Sequence, residues 1–261
     1  MFPEGTYTTL DAKRAQETLL FTGGPDAALR VLIVGSCRAL PYLNYIAAYN
    51  RSSGRDVFYA GYVNAADLRT TVDDKPQDFD AAANRLLSNA RGFLSGVDIL
   101  LCEHIENYGA LNTNEREVGI RSKLHAHTKV FTVPNWNAMG VLRNDVLSLH
   151  GEKLRWELSD VEHGALAADS IAKFYRHCAM SSFPEMMLAF DTAWRAERWF
   201  WTHNHVARPF TEFIFSQWLM KLGLDPMPKE ALEHTRSFDL FATPHTAVTE
   251  QDVEVLKILW K

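Results

Sequence analysis

Two stretches hold the side chains best suited to chemistry. In "VLIVGSCRALPYL" (31–43) Cys37 stands just past an apolar, largely β-branched run and a glycine, and in "RWFWTHNHVARPF" (198–210) His203 and His205 flank Asn204. A thiolate is a nucleophile that needs a partner to hold its proton, and an imidazole is well suited to that task. The pattern around Cys37 predicts a buried strand that turns at Gly35 and continues as a helix. A thiol there meets unpaired backbone N–H groups and the positive end of the helix dipole, both of which favour thiolate. The same spacing is equally compatible with a small apolar filler under the helix. Pro209 suits the first turn of a helix, so 202–208 is expected to be a loop that projects side chains. Neither these histidines nor "HAH" at 125–127 has carboxylates or cysteines at ligand spacing, and no metal is expected.

The elements that must position these groups differ between the two halves of the chain. Four strand-length apolar runs, "RVLIVGS" (30–36), "DVFYAGYV" (56–63), "VDILLCEHI" (97–105) and "KVFTVPN" (129–135), are separated by stretches long enough for a helix. Continuously apolar strands of this kind point to βαβ units and a short parallel sheet, an α/β core over about 28–150. Between the second and third runs, Ala82, Leu86, Leu87 and Ala90 share one helical face. From about 153 the chain reads as mainly helical, with Phe210, Phe213, Ile214, Gln217, Trp218 and Lys221 at helical spacing. No linker or repeat separates the halves. A single domain is expected, with the helical portion (about 153–261) packed on the core.

Composition narrows the function classes. The chain has 261 residues and a net charge of −5, with 27 basic residues scattered among 32 acidic ones, which argues against a nucleic-acid or anionic-membrane coat. Arg116, Arg121, Lys123 and Lys129 read as a solvated face or as a guide for an anionic donor. No apolar run reaches the roughly 20 residues that span a bilayer, so stable membrane insertion is not expected. The N-terminus lacks the basic-then-apolar run of a secretory signal, and a cytoplasmic location is expected. Cys37, Cys102 and Cys178 are odd in number and contain no CxxC pair, which argues against a disulfide framework and a zinc ribbon.

Taken in order, Gly35-Ser36-Cys37-Arg38 after the first strand, Cys102-Glu103 at the end of the third, Pro134-Asn135 after the fourth, and Asn204-His205 late in the chain resemble the WcbI family of polysaccharide-biosynthesis acetyltransferases. That family's pattern has Gly-Asn-Cys-Gln, Cys-Gln, Pro-Asn and Asn-His-Pro at these places. Here Ser36, Arg38 and Glu103 depart from it, and the proline is delayed to Pro209.

The resemblance implies a sheet of the SGNH or flavodoxin-like type. It also implies coenzyme A, or acetyl-CoA, as donor, a carbohydrate hydroxyl as acceptor, and Cys37 with His205 as the reactive pair. Candidate oxyanion and substrate contacts are Ser36, Arg38, Asn135 and Asn204, with the amide of Cys37 or Arg38 as an oxyanion donor. Candidate cofactor contacts are Gly35, Arg38, Glu103, His104, Trp136 and His203. Some of these residues have a plainer reading. Arg38 can hold a phosphate or pair with Glu103, and Trp136 can cover a ligand or fill the core. Two other classes compete with the acyltransferase. One is an SGNH-like hydrolase, disfavoured because Thr202 stands where that group has an aspartate three residues before its histidine. The other is a non-catalytic sugar- or nucleotide-binding module.

Overall fold

The run at 29–35 has no wet face: Val31, Leu32, Ile33 and Val34 are all fully buried, as a strand covered on both sides requires. In the computed structural model it is the central strand of a six-stranded sheet. The structure describes residues 8–9, 19–64, 71–72, 75–76, 84, 86–103, 113, 119–136, 140–143, 158–202, 205–235 and 248–259. Within the sheet are β1 (Thr8–Thr9), β2 (Leu20–Thr22), β3 (Leu29–Gly35), β4 (Phe58–Asn64), β7 (Ile99–Glu103) and β8 (Lys129–Val133), in the order β1-β2-β4-β3-β7-β8. The numbers β5 (Thr71–Val72) and β6 (Lys75–Pro76) belong to a separate antiparallel pair.

The four strands expected from sequence are all present, and they are parallel. β3 pairs with β4 on one side and β7 on the other, and β8 pairs with β7. The fold class is therefore α/β. The antiparallel edge of β2 and β1 was not expected from the sequence; "LFT" at 20–22 is too short to announce itself.

Contacts divide the chain into two compact units, Met1–Val133 with Met227–Phe238, and Pro134–Pro226 with Asp239–Lys261. In the first unit, alternate residues of the central strands face different layers. Leu32, Val34, Leu100 and Cys102 pack with Leu86, Leu87, Ala90, Phe93 and Leu94 of the helical segment 86–94, whose last turn is α2 (Arg91–Leu94). Helix α1 (Leu40–Ser52) follows β3, with Pro41 in its first turn. Its Asn50 side chain accepts from the amides of Val57 and Phe58, 3.0 Å each, and donates to the Phe58 carbonyl at 2.7 Å. The end of α1 is thereby fixed to the start of β4.

The second unit is mainly helical. α3 (Asp160–Met180) starts at a capping box in which Ser159 and Glu162 exchange hydrogen bonds, and it buries His163, Ala167, Phe174 and Cys178 at three-and-four spacing. α4 (Met186–Ala193) brings Phe190 against Phe174. α5 (Arg208–Lys221) has Pro209 in its first turn, as expected, but its buried stripe is Phe210, Thr211, Ile214, Phe215, Trp218 and Leu219. Phe213 and Gln217 are only half-buried and Lys221 is exposed, so the stripe is turned from the face read off the sequence. α6 (Lys229–Thr235) belongs to the first unit and packs on α1. α7 (Glu250–Leu256) closes the second unit through Asp252, which is fully buried. Its carboxylate accepts from the amide of Arg143 at 2.7 Å and from the amide and hydroxyl of Thr249 at 2.7 and 2.8 Å.

Candidate functional site

In a doubly wound sheet, ligands bind beyond the carboxyl ends of the strands where the strand order reverses. Here the first parallel strand, β3, lies between the second, β4, and the third, β7, so the reversal falls between β3 and β7. Gly35 ends one of these strands and Glu103 the other. Glu103 is only 4 % exposed, and three donors from the turn after β3 meet its carboxylate. The Ser36 amide donates to Oε2 and the Ser36 hydroxyl to Oε1, each at 3.1 Å, and Arg38 Nη2 donates to Oε2 at 3.2 Å.

The Ser36 hydroxyl also accepts from Arg38 Nε at 2.9 Å and from the Arg38 amide at 3.3 Å, capping the 3₁₀ turn Cys37–Ala39 that leads into α1. Tyr62 holds the Ser36 carbonyl at 2.8 Å, and Thr113 donates to the Glu103 carbonyl at 2.8 Å. A side chain at 35 has no room. A Cβ there would lie 2.4 Å from the Ala39 Cβ and 3.1 Å from the carboxyl carbon of Glu103. Glycine is what lets the carboxylate cross the turn.

This network joins several of the candidate residues. Arg38 pairs with Glu103, the plainer of its two readings. The Arg38 amide, one of two proposed oxyanion donors, donates to Ser36 Oγ. Ser36 and Glu103 bond each other twice. Ser36, Arg38 and Glu103 thus all bond one another. Burial, helped by the Glu103 charge, pushes the nearby Tyr42 phenol well above its usual range, so it stays neutral.

Cys37 is the first residue of the 3₁₀ turn, and its side chain is half-buried. Cys102 and Cys178 are buried, and burial pushes both thiols up to about 12. Cys102 packs in the core cluster with Leu86, Leu87 and Leu100. Of the three thiols, Cys37 is the one with exposure to reagents or ligands.

In the second unit, residues 202–208 are not wholly loop: β9 (Phe200–Thr202) and β10 (His205–Val206) form a short antiparallel hairpin with an irregular register at His205. The Thr202 hydroxyl lies 3.1 Å from His205 Nδ1. A hydroxyl thus meets this ring nitrogen and orients the imidazole.

Trp136 is 1 % exposed, stacks on Phe200 with centroids 4.5 Å apart, meets Phe174 edge-on, and donates from its indole to the Thr202 carbonyl at 3.1 Å. It fills the core rather than presenting a face to a cofactor. Asn135 is half-buried, and its Oδ1 is buried without a hydrogen-bond partner among the described residues. The candidates His104, His203 and Asn204 lie outside the described residues. Tyr62, Thr113 and Thr202 were not singled out as contributors from sequence. For Thr202 the signal was its place three residues before His205; for the other two there was none.

Comparison with known proteins adds little. No family model matches the chain, and no curated protein matches it. Among solved structures, WcbI, described as a novel polysaccharide biosynthesis enzyme in its native form without a disulfide bond between coenzyme A and one of its cysteines, is similar at 13 % identity and a TM-score of 0.48. The match covers 76 % of this chain and 70 % of that one. Nothing about the chemistry of this chain follows from a likeness of that size.

Proposed function

We propose that the chain is a coenzyme-A-dependent acyltransferase, moving an acyl group, most simply acetyl, to a carbohydrate hydroxyl in polysaccharide biosynthesis in the cytoplasm. The observation that carries the reading is the half-buried thiol of Cys37 on a clamped turn at the strand-order reversal. The ordered motifs that resemble the WcbI family support the choice of donor. The Cys37 thiolate attacks the thioester carbonyl, its sulfur bonds to the acyl carbon, and the bond to the coenzyme A sulfur breaks, releasing that thiolate to take up a proton. The two thioesters are nearly equal in energy, so the exchange is reversible. An acceptor oxygen then attacks the acyl carbon, its proton passing to a general base, the role the resemblance implies for His205. The Cys37 thiolate leaves.

The test is calorimetric titration with acetyl-CoA, followed by intact mass after incubation, for the wild type and Cys37→Ala. Binding by both with an acetyl adduct only on the wild type supports transfer through Cys37. Binding by both without an adduct removes the covalent step. No binding by either overturns the coenzyme A reading.

A further inference from the structure

The described residues hold a cleft that neither Gly35 nor Glu103 lines. It runs along the helical segment 86–94, on the flank of the sheet faced by Leu100 and Cys102, and ends at Ser95 ahead of β7. Its volume is about 290 Å³, near the lower end of small-molecule sites. Arg91 and Lys123 bring two positive charges to its lining, Asn84 and Ser88 bring polar groups, and no acidic residue lines it among the described residues. Leu87 and Leu94, both buried, supply an apolar floor. On a chain with five more acidic than basic residues, such a lining is a local reversal of the average charge.

The walls are braced independently of any ligand. Ile120 is fully buried and anchors the 3₁₀ turn Ile120–Lys123, on which Lys123 sits. The imidazole of His125 meets the Ser95 carbonyl, and Thr128 donates to the Val97 carbonyl at 2.9 Å. The Arg30 guanidinium bonds the carbonyls of Gly92 and Phe93 at 3.4 and 3.3 Å, holding the last turn of the segment. Another cleft, of about 440 Å³, adjoins the same 3₁₀ turn and is lined in part by Arg121 and His125.

We propose that the cleft between the helical segment 86–94 and the Ile120–Lys123 turn binds a phosphate-bearing small molecule. The Arg91 fork and the Lys123 ammonium hold the phosphate oxygens, and the organic portion rests on Leu87 and Leu94. The inference stands apart from the acyl-transfer reading, since it uses neither Cys37 nor its turn. The phosphate has two possible sources, a nucleotide or a sugar phosphate.

The test is calorimetric titration of the full chain with inorganic pyrophosphate, ADP and glucose 6-phosphate, at low and moderate salt. The wild type is compared with Arg91→Ala/Lys123→Ala and with Cys37→Ala. Arg91 and Lys123 are both exposed, so the double variant is expected to keep its fold, which circular dichroism checks. At least one probe is expected to bind saturably, with affinity falling roughly tenfold or more in the double variant and unchanged in Cys37→Ala. The tighter of the two organic probes identifies the source. Saturable binding of none of the three, or equal affinity in the double variant, overturns the proposal.

Discussion

Replacing Glu103 by alanine removes the acceptor on which the turn after β3 is built. Three hydrogen bonds are lost together, from the Ser36 amide, the Ser36 hydroxyl and Arg38 Nη2. Removing one partner of a fully buried ion pair costs about 3–5 kcal/mol, chiefly because the other charge stays buried. The Arg38 side chain keeps 16 % of its surface exposed, so it can swing partly into water, and the expected loss for Glu103→Ala is smaller, about 2–4 kcal/mol. Glu103→Gln keeps an oxygen for the turn but sets an amide against the guanidinium, and about 1–2 kcal/mol is expected. Urea denaturation gives the stabilities, and alkylation of Cys37 by iodoacetamide in the folded protein reports the turn. Both substitutions should alter that alkylation rate, alanine more than glutamine. A Glu103→Ala protein within about 0.5 kcal/mol of the wild type, the range of ordinary surface changes, with its alkylation rate unaltered, would refute the reasoning.

The remaining predictions concern other parts of the chain. In the native protein one thiol, Cys37, should react rapidly with a disulfide reagent near neutral pH, with Cys102 and Cys178 following only on unfolding; one mole of fast thiol that persists in Cys37→Ala would contradict this. The raised thiols of Cys102 and Cys178 make the folded state hold protons that the unfolded chain releases. Stability is therefore expected to fall as pH rises above the ordinary thiol range toward 12, by up to about 1.4 kcal/mol per pH unit for each thiol, and Cys102→Ala/Cys178→Ala should flatten that slope in urea titrations at stepped pH. Asp252→Ala strips the capping box of α7 and leaves the Arg143 amide without its acceptor, and a loss of about 3 kcal/mol or more by chemical denaturation is expected. Thr202→Val, which keeps shape but removes the hydroxyl at His205 Nδ1, should lower kcat more than it raises KM in an acetyl-transfer assay, and Thr202→Ser should restore it.

The parallel strands were legible because burial on both faces leaves a continuous apolar run, as in Val31 to Val34 and Ile99 to Cys102. The antiparallel strand β2 was not, because three residues carry no period. The hairpin of β9 and β10 was hidden for another reason: Pro209 marked 202–208 as a loop before a helix, and the pairing of Thr202 with His205 shows only in the fold. Helix α5 was legible in extent through Pro209, yet its face was misread because Gln217 and Lys221 share the spacing of the apolar residues without sharing their burial. At the site, the Arg38 and Glu103 pair could be foreseen from neighbouring strand ends. The clamp by Ser36 could not, since it needs the β3 and β7 register and the missing side chain of Gly35. Trp136 shows the limit of residue type as a guide: an indole suits a ligand or a core, and only its neighbours choose.

The return of Met227–Phe238 to the first unit has a consequence for how the chain is made. Helix α6 packs on α1, with Ala231 and Thr235 buried, although most of the second unit is synthesised between the two helices. On the ribosome, the sheet strands β3, β4, β7 and β8 emerge first, but the layer that includes α1 stays incomplete until residues beyond 235 have left the exit tunnel. Until then the side of α1 that meets α6 lacks that partner. A fragment ended at Pro226 would carry the Cys37 turn and all six strands of the main sheet without it.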